Sequence, residues 1–424
     1  MKKIIYTLLL VLISTFITKA TDTTSTQDAL GWSSSINMES NSLNMDFASK
    51  MLFGGYIHES QKNSWISKLD ENNTLFSEVC NTLSFHRNLG DNLFSFSISD
   101  RNLAKMLFSK DLMKVALFGN YNYQGDTLHF DKTNFTLDRF QQIKMGYEKI
   151  FKIQENTLTI STAVSYLNGN HHLSFTTKNA SFYTAPFGTH NSLNYDINAF
   201  ATDTANFNYF QNNGNGFAFD LAINLESKNK KYTLYLSDLG YINWKESALK
   251  YRTDTSFSFS GFEIEDILDF NDSIIKREAD KYLEDIYINA KKGTIKSYIP
   301  ANFGFKMETP LNNDLYFRKY ILGFNLKWQA MQDNQLLSVK KVLQGFYESG
   351  YAPYFYLKTV AQTKYALLIP QISIGGYSKK LSFGLSTQFG NKVPIRIGSR
   401  HLESIFKGKE SNSLSVYLQA SMKF

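Results

Sequence analysis

The chain contains one cysteine, Cys80, and only 6 prolines and 24 glycines among its 424 residues. A single cysteine excludes an intramolecular disulfide framework and any multi-cysteine zinc or iron–sulfur site. So few prolines and glycines exclude collagen-like and low-complexity chains. The mean hydropathy of −0.29 excludes a bundle of transmembrane helices. Aromatic residues, in contrast, reach 15% of the chain, so the fold must provide an extensive apolar environment for them.

The first twenty residues have the features of a cleaved secretory signal. Lys2 and Lys3 form a basic start, and an uninterrupted, largely apolar run follows from Ile4 to Ile17. This run is shorter than the roughly 20 residues that a membrane-spanning helix needs, and the small residue at position 20 suits signal peptidase. The sequence therefore predicts cleavage between Ala20 and Thr21, with residues 1–20 as the signal and residues 21–424 as one mature domain.

Apolar and polar residues alternate at the end of the chain, which is typical of a β-strand because neighbouring side chains point to opposite faces. The polar face includes Gln419 and Lys423, and the apolar face includes Leu418, Ala420, Met422 and Phe424. An apolar strand that ends in an aromatic residue is typical of the signal that outer-membrane assembly machinery recognises. These four apolar residues are therefore predicted to form that signal.

The same alternation occurs in several internal segments. Between residues 216 and 225, Asp220 and Asn224 lie on the face opposite to an aromatic and aliphatic row. Similar rows run through residues 320–328 and 381–389. If the apolar rows face outward, Asp220, Asn224, Gln419 and Lys423 are candidates for side chains that face an enclosed, polar lumen.

Alternating strands occur both in soluble β-sandwiches and in membrane β-barrels. Strands of soluble proteins are usually about 5–6 residues long, whereas several runs here reach the length of about 9–11 residues that a tilted strand needs to cross a bilayer. The secretory signal and the apolar C-terminal strand agree with the second architecture. We therefore predict an all-β, antiparallel transmembrane barrel in the outer membrane of a Gram-negative bacterium, with a secreted soluble β-protein as the alternative.

The length of the mature chain sets the strand number. If each strand and its connecting loop together take roughly 26 residues, the mature chain forms about 14 strands, within a range of 12–16. Bacterial barrels have even numbers of strands, so an even number is expected. Residues 262–292 interrupt the alternation with a helical, i, i+3, i+4 spacing of apolar residues and an acidic opposite face. This segment is predicted to be a helical insertion, either outside the membrane or as a plug near the barrel mouth.

Several stretches together resemble an uncharacterised family of outer-membrane barrels related in fold to the long-chain fatty-acid transporters. They are SISDRNLAKMLFSKDL (97–112), NNGNGFAFDL (212–221), LSDLGYINWKESALKY (236–251), FSFSGFEIED (257–266), SYIPANFGFKM (297–307) and VPIRIGSRHL (393–402). Their order covers most of the mature chain. The resemblance implies a Gram-negative outer-membrane barrel, and it implies no chemistry because the family has no established activity.

One of these stretches contains Trp244 next to Lys245. An indole and a long ammonium side chain are a typical pair at a membrane interface. We therefore predict an interfacial strand end at these two residues, and a ligand groove is the alternative.

The sequence contains none of the residue patterns that are typical of catalytic, metal or cofactor sites. His171 and His172 are adjacent, so on a strand they point to opposite faces and cannot bind one metal ion together. No HExxH, EF-hand, GxSxG or Walker-type sequence occurs. The basic residues are scattered, which argues against a nucleic-acid-binding surface. The sequence thus predicts no enzyme, no metal site and no cofactor.

Two functions are favoured after these exclusions, and an outer-membrane enzyme stays open as a third function that no residue pattern supports. The first is a passive channel or transporter for small hydrophobic or amphipathic molecules, with outer-membrane lipid, the barrel-assembly machinery and a small apolar ligand as partners. The alternative is a non-conducting barrel that acts as a scaffold or accessory of an envelope complex, such as a protein-secretion apparatus. The two are distinguished by whether side chains fill the lumen.

Overall fold

The computed structural model describes residues 28–202, 210–259, 290–311, 316–329 and 339–424. The predicted signal and its cleavage site lie outside these residues, and so does the predicted helix, apart from its last three positions. Of those, Lys291–Lys292 form a short strand.

Strands dominate the described residues. In chain order they are β1 (Ala29–Ser40), β2 (Asn72–Leu89), β3 (Asn92–Ser109), β4 (Thr127–His129), β5 (Asn134–Ile153), β6 (Asn156–Thr184), β7 (Asn191–Ala201), β8 (Gly214–Ser227), β9 (Lys230–Trp244), β10 (Leu249–Phe259), β11 (Lys291–Lys292), β12 (Ile295–Tyr298), β13 (Ala301–Pro310), β14 (Phe317–Trp328), β15 (Ala352–Gln362), β16 (Leu367–Gly376), β17 (Lys380–Phe389), β18 (Ile395–Ser399) and β19 (Ser413–Lys423).

Fourteen of these described strands form a closed, antiparallel barrel, which confirms the predicted fold and strand number. The ring order is β1, β2, β3, β5, β6, β8, β9, β13, β14, β15, β16, β17, β18 and β19. β19 pairs with β1 over its whole length, from Ser413↔Glu39 to Lys423↔Ala29, and this pairing closes the ring. A closed ring leaves no strand edge unpaired.

The two ends of the barrel differ. At the end where β1 begins and β19 finishes, which we call the terminus end, β2 and β3 are joined by two residues, as are β5 and β6, and β8 and β9. At the opposite, loop end lie the short helices α1 (Met45–Phe53), α2 (Glu59–Ser67), α3 (Lys110–Phe118), α4 (Val339–Glu348) and α5 (Glu403–Lys407). None of the helices that the structure describes has both the length and the apolar composition of a membrane span.

The helices α1–α3 form a small apolar core at the loop end. Asn44 caps α1 by accepting a hydrogen bond from the Phe47 N–H, at 3.1 Å, which satisfies one of the unpaired donors of the first turn. Phe47 packs edge-on against Trp65 of α2, with ring centroids 5.2 Å apart. Both belong to a buried cluster that includes Phe108 of β3. These helices are therefore anchored to the barrel wall by apolar contacts.

β6 is long enough to have two successive neighbours. Its first part pairs with β8, from Thr157↔Glu226 to Gly169↔Gly214, and its second part pairs with β7, beginning at Leu173↔Ala201. β7 in turn pairs with β10. The wall formed by β5 and β6 thus continues beyond the ring as an additional sheet at the loop end.

The outward face of the ring is apolar. Large side chains that are between 52% and 63% exposed there include Leu83, Val164, Phe217, Leu234, Phe355 and Leu381. On β3, β5, β6 and β8 this apolar surface ends at a row of directly paired polar residues: Asp100, Gln141, Asn168 and Asn215. The Asn168 amide donates to Gln141 Oε1 at 2.7 Å. This row marks the border between the apolar surface and the loop end.

Inward-facing tyrosines lie over glycines of the neighbouring strand. Gly304 is directly paired with Tyr235, Gly323 with Tyr356, and Gly398 with Tyr417. A Cβ atom at any of these glycines would lie between 2.0 and 2.6 Å from the tyrosine ring. Each ring therefore lies flat on the inner wall because its partner has no side chain. This packing narrows the interior without filling it completely.

Candidate functional site

The interior of the barrel contains a charged network on the side formed by β2, β3, β5, β8 and β9. Arg101 Nη2 donates to Glu78 Oε1 at 2.6 Å, and Arg101 Nη1 donates to Asp238 Oδ2 at 2.9 Å. Lys144 forms ion pairs with Asp238, at 3.2 Å, and with Asp220. Charges this buried require partners, and here cations and carboxylates alternate across the interior.

The network depends on an irregularity in β9. Asp238 has a left-handed φ of 58°, and the pairing of β8 with β9 shifts between Phe219 and Leu221. Such a bulge changes the direction in which the side chains after it point. Asp238 Oδ1 accepts a hydrogen bond from the Gln142 amide at 2.9 Å, and the Asp238 N–H donates to Asp220 Oδ1 at 2.7 Å. Asp238 is thus held in place by hydrogen bonds to β5, through Gln142, and to β8, through Asp220.

An aromatic cluster lies beside this network toward the loop end. Phe76 and Tyr377 stack with ring centroids 4.0 Å apart, and Tyr351 packs edge-on against Tyr377. The Lys327 ammonium lies over the Phe76 ring, 4.7 Å from its centroid. This is a cation–π interaction, in which the face of the ring attracts the positive charge. Bulky side chains therefore obstruct the interior at this level.

In the terminus-side half of β13–β19 lies a cavity of about 190 Å³. Its lining includes three cations, Lys319, Lys358 and Arg396, and one carboxylate, Glu308. Glu308 is paired with Lys319 at 3.0 Å, and Arg396 donates to the Gln388 side chain. The rest of the lining contains five aliphatic side chains, Ile321, Val360, Leu367, Ile369 and Leu385, and the polar residues Gln371, Ser386, Ser399 and Tyr417. The cavity is amphipathic, and its charge is positive.

A second buried cluster lies at the loop end, beyond the polar row. His172 Nδ1 lies 2.7 Å from Asp138 Oδ1, and His172 Nε2 lies 3.1 Å from Ser174 Oγ. Each of the three residues is at most 4% exposed. They line a cavity of about 30 Å³ together with residues that include Lys105 and Asn134.

A third cluster surrounds His401, in the loop between β18 and β19. His401 Nδ1 donates to Glu403 Oε1 at 3.0 Å, and Nε2 lies 3.5 Å from Glu39 Oε1. Burial lowers the pKa of His401, but the hydrogen bonds to Glu39 and Glu403 outweigh burial and raise its pKa to about 9. His401 is therefore an imidazolium at neutral pH.

The structure places the four candidate lumen residues on inner faces. Asp220 belongs to the charged network, and Asn224 accepts a hydrogen bond from the Thr233 hydroxyl at 2.7 Å. Gln419 and Lys423 lie on the face of β19 that also carries the buried Ser413 and Ser415. Thus, only Asp220 belongs to the network of paired charges.

The four residues of the predicted assembly signal lie on the opposite face of β19. Phe424 is 63% exposed and Met422 is 48% exposed, and the Phe424 ring stacks on Phe85 with centroids 6.4 Å apart. Leu418 and Ala420 are partly exposed on the same face. The row is continuous with the apolar outer surface, and its recognition by assembly machinery stays a prediction.

The predicted interfacial position of Trp244 is wrong. Trp244 is 0% exposed, and its indole N–H donates to Ser297 Oγ at 2.8 Å. Its ring lies over Gly169 and Gly214, where a Cβ would be within 2.8 Å of it. Two glycines on adjacent strands leave space for an indole on the inner wall, so Trp244 points inward. Lys245 is exposed, and its ammonium donates to the Asn212 carbonyl at 2.5 Å.

The Asp138–His172–Ser174 cluster was missed by sequence reasoning. The signal was present as a break in alternation, because inward residues of β6 are odd-numbered up to position 169 and even-numbered from position 172. Asn170 is the extra residue that causes the change, since Phe140 pairs with Gly169 and Arg139 pairs with His171. Among the described residues, no group of three His, Cys, Asp or Glu side chains is arranged to hold a metal ion.

Comparisons with known proteins identify the family but no activity. A model described as a family of unknown function (DUF5723) matches residues 31–391. No curated protein sequence matches the chain.

Three solved structures are similar in fold. The toluene transporter TbuX of Ralstonia pickettii has a TM-score of 0.43 at 6% identity, with 94% of this chain and 90% of that chain covered. The translocator domain of the autotransporter NalP from Neisseria meningitidis has a TM-score of 0.32 at 7% identity, with 95% and 90% covered. The transport unit of the autotransporter AIDA-I from Escherichia coli has a TM-score of 0.29 at 8% identity, with 99% and 97% covered.

Proposed function

The chain belongs to the DUF5723 family of unknown function, and on the geometry of its interior we propose that it is an outer-membrane barrel that takes up small amphipathic anions. The amphipathic cavity of about 190 Å³ is the observation that carries this proposal. In this proposal the charged network and the aromatic cluster obstruct the pathway in its closed state.

The outer-membrane location rests on the outward face. A closed ring with an apolar exterior and a polar, charged interior is the arrangement that a bilayer requires of a spanning sheet. In this location the apolar row that ends at Phe424 contacts lipid and serves as the assembly signal. Membrane fractionation of cells that produce the full chain tests the location, and recovery in the soluble periplasmic fraction would contradict it.

The ligand class follows from the lining of the cavity. Lys319, Lys358 and Arg396 contribute three positive charges against the single negative charge of Glu308. Aliphatic side chains cover another part of the lining. An occupant with an anionic head and a short apolar body matches both parts, since the head gains charge-assisted hydrogen bonds and the body removes apolar surface from water. The small size of the cavity favours a molecule such as an aromatic or short-chain carboxylate.

Transport of benzoate into liposomes tests this proposal. Liposomes that contain the purified full chain should take up benzoate faster than protein-free liposomes, and benzylammonium, of similar size and opposite charge, should enter more slowly. The Lys358→Gln/Arg396→Gln double variant should lose most of the benzoate uptake. Lys364→Gln is the matched control because Lys364 is exposed in the turn after β15. Equal uptake with and without protein would contradict the proposal.

A scaffold function is the second candidate, and exposed apolar side chains on the helices favour it. Phe53 at the end of α1 and Phe406 in α5 are each 85% exposed at the loop end. Apolar side chains exposed this far are typical of partner surfaces when they form a contiguous patch. Affinity purification of the chain should then return a specific envelope protein, which Phe53→Ser should release, while liposomes show no benzoate uptake. Recovery of assembly machinery alone would contradict this alternative.

A further inference from the structure

We propose that Asp138, His172 and Ser174 form a serine-nucleophile site that cleaves esters of small acyl groups. The three side chains are connected in the order carboxylate, imidazole, hydroxyl, with 2.7 Å between Asp138 Oδ1 and His172 Nδ1 and 3.1 Å between His172 Nε2 and Ser174 Oγ. This is the order in which such groups act in acyl transfer.

The sheet itself produces this order. Asp138 of β5 and His172 of β6 are directly paired across the two strands, which brings their side chains within hydrogen-bond reach on the same face. Ser174 follows His172 by two residues, so it lies on that face as well. The bulge at Asn170 turns both residues of β6 inward, where they are at most 4% exposed.

The imidazole is fixed in the orientation that a general base requires. Asp138 Oδ1 is the acceptor for the Nδ1–H, and in that tautomer Nε2 is the ring atom directed at the Ser174 hydroxyl. Trp244 stacks on the imidazole with ring centroids 5.2 Å apart and an interplanar angle of 19°. The His172 N–H donates to the Thr202 hydroxyl at 3.0 Å, so both the ring and the backbone of His172 are held.

His401 provides an internal comparison within the same molecule. It also lies beside a serine, because its Nδ1 is 3.1 Å from Ser382 Oγ. However, it contacts two carboxylates, Glu39 and Glu403, which together raise its pKa to about 9. A ring that is already protonated cannot accept the proton of a serine hydroxyl. The two clusters thus differ in their contacts, because two carboxylates contact the His401 ring and Asp138 contacts the His172 ring.

The cavity beside Ser174 defines the substrate. Its volume is about 30 Å³, and the ammonium of Lys105 and the amide of Asn134 line it. This volume is about that of one or two water molecules, so it excludes a fatty chain and limits the acyl group to about the size of acetyl. The Lys105 ammonium donates to Gln329 Oε1 at 2.7 Å, and a cation in the lining favours the negative charge of a tetrahedral intermediate. The cluster lies on the loop-end side of the polar row, so the proposal requires the ester to enter from the aqueous phase at that end.

The reaction conserves atoms and electrons with water as the only co-substrate. Ser174 Oγ attacks the carbonyl carbon of the ester, and its proton moves to His172 Nε2. The bond from that carbon to the alcohol oxygen breaks, and the departing alcohol takes the proton from Nε2. Water then loses a proton to Nε2 and attacks the acyl-serine, which releases the acid and returns the proton to Ser174.

Acetylation by p-nitrophenyl acetate tests the proposal on the full chain in detergent micelles. The wild-type barrel should release p-nitrophenolate at least about 10³-fold faster than Ser174→Ala, because removal of a serine nucleophile costs up to about 10⁶-fold in kcat. Ser382→Ala is the matched control, and its rate should equal that of the wild type. Asp138→Asn should lower kcat with little change in KM, because Asp138 positions the base without contacting the ester.

Mass mapping of the acid-quenched wild type gives a result that does not depend on any variant. The acetyl group should be found on the peptide that contains Ser174. If the wild type and Ser174→Ala hydrolyse the ester at the same rate, or if the acetyl group occurs only on lysine or tyrosine, the cluster is a buried hydrogen-bond network and the proposal is wrong. Benzoate uptake is measured separately, so either proposal can fail without the other.

Discussion

Arg101 of β3 and Asp238 of β9 form an ion pair of 2.9 Å across the barrel interior, although β5, β6 and β8 separate their strands in the wall. Such a contact joins distant parts of the ring directly. Arg101 also binds Glu78 of the adjacent strand, so one guanidinium holds two carboxylates. The interior is therefore tied together by charge, in addition to the hydrogen bonds between strands.

Removal of Arg101 should destabilise the barrel strongly. Arg101→Ala leaves Glu78 and Asp238 buried without their main cation, and breaking a buried pair in this way costs about 3–5 kcal/mol. Unfolding of the barrel in urea, followed by gel mobility or tryptophan fluorescence, measures the loss. Arg87→Ala is the matched control because the Arg87 side chain is 61% exposed, and its effect should stay within about 0.5 kcal/mol. A similar loss in both variants would contradict the role of the network.

Gly323 and Tyr356 should be energetically coupled. A Cβ at Gly323 would lie 2.0 Å from Tyr356 Cζ, so Gly323→Ala forces the ring away from the wall and should cost about 1–3 kcal/mol. In the Tyr356→Ala background the same substitution meets no ring, so its cost should fall. A double-mutant cycle in urea unfolding measures this coupling. Strictly additive effects would show that the ring does not depend on the missing side chain.

The environments of Trp32 and Trp244 should differ in a membrane. Trp32 is 43% exposed on the outward face of β1, whereas Trp244 is 0% exposed on the inner wall. Two variants that each retain one of these residues, with the other tryptophans changed to phenylalanine, should respond differently to brominated lipids. Strong quenching is expected for Trp32 and weak quenching for Trp244. The reverse order would restore the interfacial prediction for Trp244.

The His401 cluster should stabilise the barrel in a pH-dependent manner. Its pKa is raised from 6.5 to about 9, so the stabilisation is complete below pH 6.5 and is lost as the pH rises through 9. We expect His401→Gln to be less stable than the wild type by on the order of 2 kcal/mol at about pH 6. This difference should shrink by about pH 10. Urea unfolding of both proteins at the two pH values measures it, and a constant difference would contradict the assignment.

The fold was predictable from the sequence because the alternation of apolar and polar residues depends only on neighbouring positions in one strand. In β19 the row from Leu418 to Phe424 faces outward and Gln419 faces inward, as the sequence indicated, since nothing interrupts the strand. The strand number was predictable because antiparallel strands joined by short turns each take up a similar number of residues, so the chain length determines how many strands fit. A closed ring also needs no long-range information beyond the succession of strands.

The clusters inside the barrel were not predictable in this way. Trp244 and Gly214 are distant in sequence and become neighbours only through the register of β8 and β9. Asp138 and His172 likewise meet through the register of β5 and β6, and that register contains a bulge. A one-residue shift exchanges the faces of a strand, so the inward residues beyond a bulge cannot be assigned from alternation alone.

The single extra residue in β6 has a consequence for how this wall can change. Removal of Asn170 would bring the residues beyond it back into phase with those before it. His172 and Ser174 would then turn outward, and Leu173, now 41% exposed, would turn inward. A deletion at this one position would thus replace a polar inner lining by an apolar one, so the extra residue in β6 decides which side chains of its second half face the interior.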